Sequence, residues 1–126
     1  MADLTYNRLQ RAVTELARDV TRASDAIRSR AHLMAEEARD TSNVAEMIGG
    51  MRVDADTIGE TRELSKITTG LSEASMTYAS AANTTAKAAN NASAQARTTH
   101  SGIKEAVSRS PVAGIYDVNS QWFDQE

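Results

Sequence analysis

Residues 1–48 read MADLTYNRLQRAVTELARDVTRASDAIRSRAHLMAEEARDTSNVAEMI. Apolar and small residues recur there at steps of three and four, through Ala2, Tyr6, Leu9, Val13, Leu16, Val20, Ala23, Ile27, Ala31, Met34, Ala38, Thr41, Ala45 and Ile48. That spacing draws one narrow stripe along an α-helix, the seam of a coiled coil. A helix this long with one sticky stripe leaves it wet unless another helix covers it. The chain therefore calls for a helical partner before it suggests any chemistry.

Gly49-Gly50 follows where this first seam ends, and the freedom of glycine backbone marks a bend. Beyond it Asp54, Asp56 and Thr57 offer N-cap oxygens, and Thr57-Ile58-Gly59-Glu60 has the pattern of a capping box. A second seam then runs through Ile58, Thr61, Leu64, Ile67 or Thr68, Leu71, Ala74, Tyr78, Ala82, Ala86, Ala89, Ser93, Ala96, His100, Ile103 and Val107. Pro111 ends it, because proline lacks the amide and excludes helix for the residue before it. The expected organisation is all-α: helix 1 over roughly 3–48, a bend at 49–56, helix 2 over roughly 57–109, and a tail from 111 to 126. Residues 1–110 thus form a hairpin of two long antiparallel helices, completed to a four-helix bundle by association. A cap-like Asn43-Val44-Ala45-Glu46 allows a break near 41–43, but the 3.5-residue phase runs across it. Each arm would be on the order of 70 Å long. The seam residues expected to carry pairing are Leu9, Val13, Leu16, Val20, Ile27, Met34, Ile58, Leu64, Ile67 and Leu71.

Composition points the same way. Of 126 residues, 40% are hydrophobic, alanine is the commonest of them, and Trp, Phe and Pro occur once each. So little large apolar surface hardly offsets the entropy of ordering the chain, and association is the usual remedy. From Glu73 to Ser101 the helix is alanine among Ser, Thr and Asn, which suits two backbones in close approach. Gly70 and Gly102 would mark bends or points of close contact. With no cysteine there are no disulfides and no thiolate metal sites. Neither a signal peptide nor an 18-residue apolar run is present, so the expected product is cytoplasmic as synthesised, exported without a cleavable signal or built into an assembled particle.

The charges exclude several classes. Fourteen Lys and Arg stand against 17 Asp and Glu, and in helix 1 they interleave at i,i+3 and i,i+4, as in Arg11 with Glu15, Asp19 with Arg22, and Glu36 with Arg39. No uncompensated basic stripe offers itself to nucleic acid, and no cationic amphipathic face to a membrane. Catalytic material is thin. His32 and Glu36 have metal-ligand spacing but lack a third ligand, and Glu36-Glu37 reads as a solvated pair. Asp54 to Gly59 starts like a calcium loop, yet Ile58 occupies a ligand position and Ser65 stands where the bidentate glutamate belongs. Neither an enzyme, a metal site nor a cofactor is expected.

The tail holds the only Trp and the only Phe, with one of three Tyr, in Val112-Ala-Gly-Ile-Tyr116-Asp117-Val118-Asn-Ser-Gln-Trp122-Phe123-Asp124-Gln-Glu126. Two readings stand side by side. Either it folds back to cap the hairpin, or Tyr116, Asp117, Val118, Trp122 and Phe123 form an anchor peptide, since aromatics dominate interface energetics.

A small cysteine-free helical hairpin, bent at glycine and ending in an aromatic and acidic tail, resembles the Trp-x-Gly (Esx-like) substrates and chaperone-like partners of type VII secretion. The resemblance implies homo- or heterodimeric pairing into a four-helix bundle, and a tail read by a secretion ATPase. It covers most of the chain in architecture. The bend, however, reads Met47-Ile48-Gly49-Gly50 without Trp, and Ser120 stands four residues after Tyr116 where that family carries an acid. The expected function is accordingly a protein–protein interaction module of a secretion or conjugation-type apparatus. The alternatives are a structural subunit of a filament or phage-like particle, and a small helical antitoxin or adaptor.

Overall fold

A computed structural model describes residues 6–112. Two α-helices account for nearly all of them: α1 from Tyr6–Gly49 and α2 from Ala55–Ser108, joined by residues 50–54 and packed against each other as an antiparallel hairpin. α1 is unbroken across 41–43. The tail residues Tyr116, Asp117, Val118, Trp122 and Phe123 lie outside the described residues.

The bend does not rest on glycine. Neither Gly49 nor Gly50 has a backbone conformation closed to other residues, and a Cβ would meet nothing within 4 Å at Gly49 and only the Met47 carbonyl, at 3.5 Å, at Gly50. Backbone bonds close it instead, from the Gly50 amide to the carbonyls of Glu46 (3.3 Å) and Met47 (3.1 Å), and from the Met51 amide to Ile48 (3.1 Å). Asp54, rather than the Thr57 to Glu60 box, caps α2. Its Oδ1 accepts the Thr57 amide at 2.8 Å and its Oδ2 the Thr57 hydroxyl at 2.8 Å. Both bonds favour the carboxylate, so they hold the Asp54 carboxyl below its usual range. Gly70 and Gly102 are neither bends nor close contacts; a Cβ at either would enter open space.

The helices pack as two compact units. One comprises Thr21–Asn83, the bend with the flanking parts of both helices; the other takes in the described residues 6–20 and 84–112. In the first, three serines cross the seam: Ser24 Oγ donates to the Ala79 carbonyl at 2.7 Å, Ser72 Oγ to that of Ala31 at 2.7 Å, and Ser65 Oγ to that of Ala38 at 2.8 Å. In each pair the residue numbers sum to 103. A hydroxyl on a single carbon reaches the opposite backbone only when two helices lie very close, so small side chains set the spacing here. A helix carbonyl has a second lone pair, and each acceptor can therefore keep its own helical bond. In the other unit Gln10 Nε2 donates to the Ser93 carbonyl at 3.0 Å and to Tyr6 Oη at 3.1 Å, while the Ser93 hydroxyl bonds Gln10 Oε1. Gln10 and Ser93 also sum to 103. The Tyr6 ring stacks on His100 there, centroids 4.2 Å apart and planes 17° from parallel.

The buried core among the described residues is made of small side chains only. It consists of Ala17, Ser24, Ala31, Ala38 and Ala45 on α1, each seven from the next, and Ser72, Ala79, Ala86 and Ser93 on α2, again seven apart. No buried side-chain polar atom among the described residues lacks a partner.

Candidate helix-pairing surface

Half of the expected seam lies elsewhere. Val13, Val20, Ile27, Met34 and Ile58 are half-buried beside the small-residue line. Leu9, Leu16, Leu64, Ile67 and Leu71 are each at least 52% exposed and do not form the hairpin's own contact. The physical reason is a one-residue phase shift, which turns a helical position by about 100°. Gln10, Ala17, Ser65 and Ser72, the immediate neighbours of Leu9, Leu16, Leu64 and Leu71, face the other helix because two backbones this close leave no room for leucine.

The displaced residues share a side. Relative to a core residue taken as the centre, the preceding position lies about 100° round the helix, the position two ahead about 160° and that three ahead about 60°, all in the same sense. In the unit 21–83, Val44, Leu64, Leu71 and Tyr78 stand one before a core or seam position, and Leu33, Met47 and Ile67 stand two after one. A two-fold rotation perpendicular to both axes exchanges antiparallel helices, so equal offsets on α1 and α2 fall on one side of the hairpin. All seven exposed large apolar residues in the two helices of this unit therefore lie on that side. On the other side are Asp25, His32, Glu36, Arg39, Glu46, Glu63, Lys66 and Glu73, with Lys66 Nζ 3.8 Å from Glu63. The pairs Arg11 with Glu15, Asp19 with Arg22 and Glu36 with Arg39 do not close to salt-bridge distance.

On α2 the exposed stripe reads Leu64, Ile67, Leu71, Ala74, Tyr78, Ala81, in steps of three and four. This is the spacing of a second coiled-coil seam beside the first, and its large residues Leu64, Ile67, Leu71 and Tyr78 are exposed. Its position was hidden in the sequence because the larger residues masked the smaller ones next to them. The signal that would have separated them is the strict seventh-residue recurrence of Ala and Ser on both helices, with partners at a constant sum.

Other chemistry is sparse. Among the described residues no three His, Asp or Glu side chains cluster so as to hold a metal ion, and no helix is long and apolar enough to cross a membrane. Comparison with family models, with curated proteins and with solved structures gives no match.

Proposed function

We propose that this chain is a non-enzymatic protein–protein interaction module whose exposed apolar side, between Leu33 and Tyr78, receives the helices of a second chain, itself or a related helical protein, and completes a four-helix bundle. The observation that carries the reading is the α2 stripe Leu64, Ile67, Leu71 and Tyr78, more than half exposed yet spaced for helix-on-helix packing. The setting we attach to it is a secretion or conjugation-type apparatus, on the architectural resemblance to Esx-like proteins, with the tail as a second docking element.

The test is site-specific photo-crosslinking in the producing cell. Benzoylphenylalanine at position 71, on the apolar side, should give a discrete covalent adduct. The same group at position 73, on the polar side, should give none. Adducts from both positions alike, or from neither, would remove the basis for the reading.

A further inference from the structure

We infer that the occupant of this side is a second copy of the chain, related by a two-fold axis that crosses α1 beside Leu33 and α2 between Ile67 and Leu71. The inference rests on the pairing function proposed above and names its partner. Two observations place the axis independently.

The first is charge. Arg30 and Glu37 both stand one residue before a core position, so they occupy the same stripe as Leu64, Leu71 and Tyr78. They are one heptad apart and opposite in sign, and neither makes a salt bridge with a described residue. Laid antiparallel on itself about the midpoint of this pair, α1 sets Arg30 of one copy against Glu37 of the other, twice over. Asp40, three residues beyond Glu37 on the same side, adds to the acidic end that each Arg30 meets. Glu60, the remaining charge on this side in the unit, lies further out along the axis. Any partner must answer the Arg30 and Glu37 pair at the middle of α1, and a second copy does so with its own.

The second is apolar content. The constant sum of 103 puts the Arg30 to Glu37 midpoint, between residues 33 and 34, opposite residues 69–70 of α2. That level falls between Ile67 and Leu71, and Leu33 lies beside it on α1. The axis that satisfies the charges therefore also brings the three apolar side chains nearest the centre of the face onto their copies. Such an isologous contact closes after two copies. The seven exposed apolar side chains leave on the order of 100 Å² each, hence about 700 Å² per copy, close to the roughly 800 Å² per partner of stable interfaces.

The experiment uses the whole chain at low ionic strength, where such pairs are least screened. Sedimentation should show a dimer. Arg30→Glu alone and Glu37→Arg alone should each weaken it at least tenfold, by setting like charges together, with helicity unchanged because both positions are exposed. An equimolar mixture of the two variants should restore it. The glutamate introduced in one copy then faces the arginine introduced in the other, and the native Arg30 and Glu37 that remain face each other at the second contact. Geometry gives a second readout in a chain without native cysteine. Leu33→Cys should form an intermolecular disulfide on mild oxidation. Met47→Cys should not, because about 13 residues from the axis separate the two copies by roughly 40 Å. A monomer at all concentrations, a dimer indifferent to both charge changes, or crosslinking at 47 in place of 33 would overturn the inference. A photo-adduct at position 71 to a different protein would also overturn it while leaving the pairing function standing; loss of that function would show instead as no difference between positions 71 and 73.

Discussion

On α2, Ser65, Ser72 and Ala79 lie against α1, whereas Leu64, Leu71 and Tyr78, one residue earlier in each case, stand in solvent. The two stripes share a helix and a period and differ only in side-chain size. If hydrophobicity chose the inner stripe, the leucines would be inside. Size chooses it here: small residues let the backbones close up until hydroxyls reach carbonyls, and the large residues are left exposed beside them. The hairpin thus separates what holds it together from what it offers outward.

The hardest blow to that separation is a direct exchange of sizes. Ala31→Leu, on a residue with no exposed surface, should push the helices apart and destabilise the hairpin by about 3 kcal/mol, by urea melts at concentrations where the chain does not associate. Leu71→Ala under the same conditions should hardly register. If the leucine change costs more than the alanine one, the assignment of the two stripes is reversed.

A gentler probe asks what a seam hydroxyl contributes. Ser72→Ala keeps the close approach and removes one bond to the Ala31 carbonyl, so a loss of about 1 kcal/mol is expected, with association unaffected. Should Ser72→Ala alter the oligomeric mass instead, the inner stripe would be part of the outward contact. On the polar side, Gly70→Ala should stabilise α2 by up to about 1 kcal/mol, since alanine is the better helix former and its Cβ meets nothing. Destabilisation there would reveal a contact on the side read as solvated.

The smallest effect belongs to the cap. The Asp54 carboxyl is held below its ordinary value by the Thr57 amide and hydroxyl, so its contribution is complete above the unfolded value of 3.8 and is lost as pH falls through the lower folded value. Asp54→Ala should therefore lower the melting temperature slightly at pH 7, and the gap to the parent chain should shrink below pH 4. A gap that widens in acid would mean that the carboxyl is not the cap.

The hairpin itself was legible because proline, the glycine pair and a sustained 3.5-residue phase are strong signals. From Ile27 to Ile48 the expected seam follows the small-residue line, since Arg30 and Glu37 before Ala31 and Ala38 do not compete for it and the 3.5-residue phase passes over Val44 to Ala45. Before Ile27, Leu9 and Leu16 outweigh Gln10 and Ala17, and in α2 Leu64, Leu71 and Tyr78 outweigh Ser65, Ser72 and Ala79. A reading that ranks positions by hydrophobicity takes the heavier neighbour and turns the helix by one position. Asp54 is one of three cap candidates in the sequence, and only its bonds to Thr57 separate it from Asp56 and Thr57.

The constant sum of 103 also governs how such a chain can change in length. One residue deleted from either arm swings every later small residue about 100° off the contact line, so single insertions and deletions within the arms are expected to be lethal to the fold. Seven removed from α1 together with seven from α2 leave each serine facing a carbonyl as before. Lineages descended from this sequence should therefore lengthen or shorten by matched heptads, and their arm lengths, compared across genomes, should fall on a ladder with a step of seven.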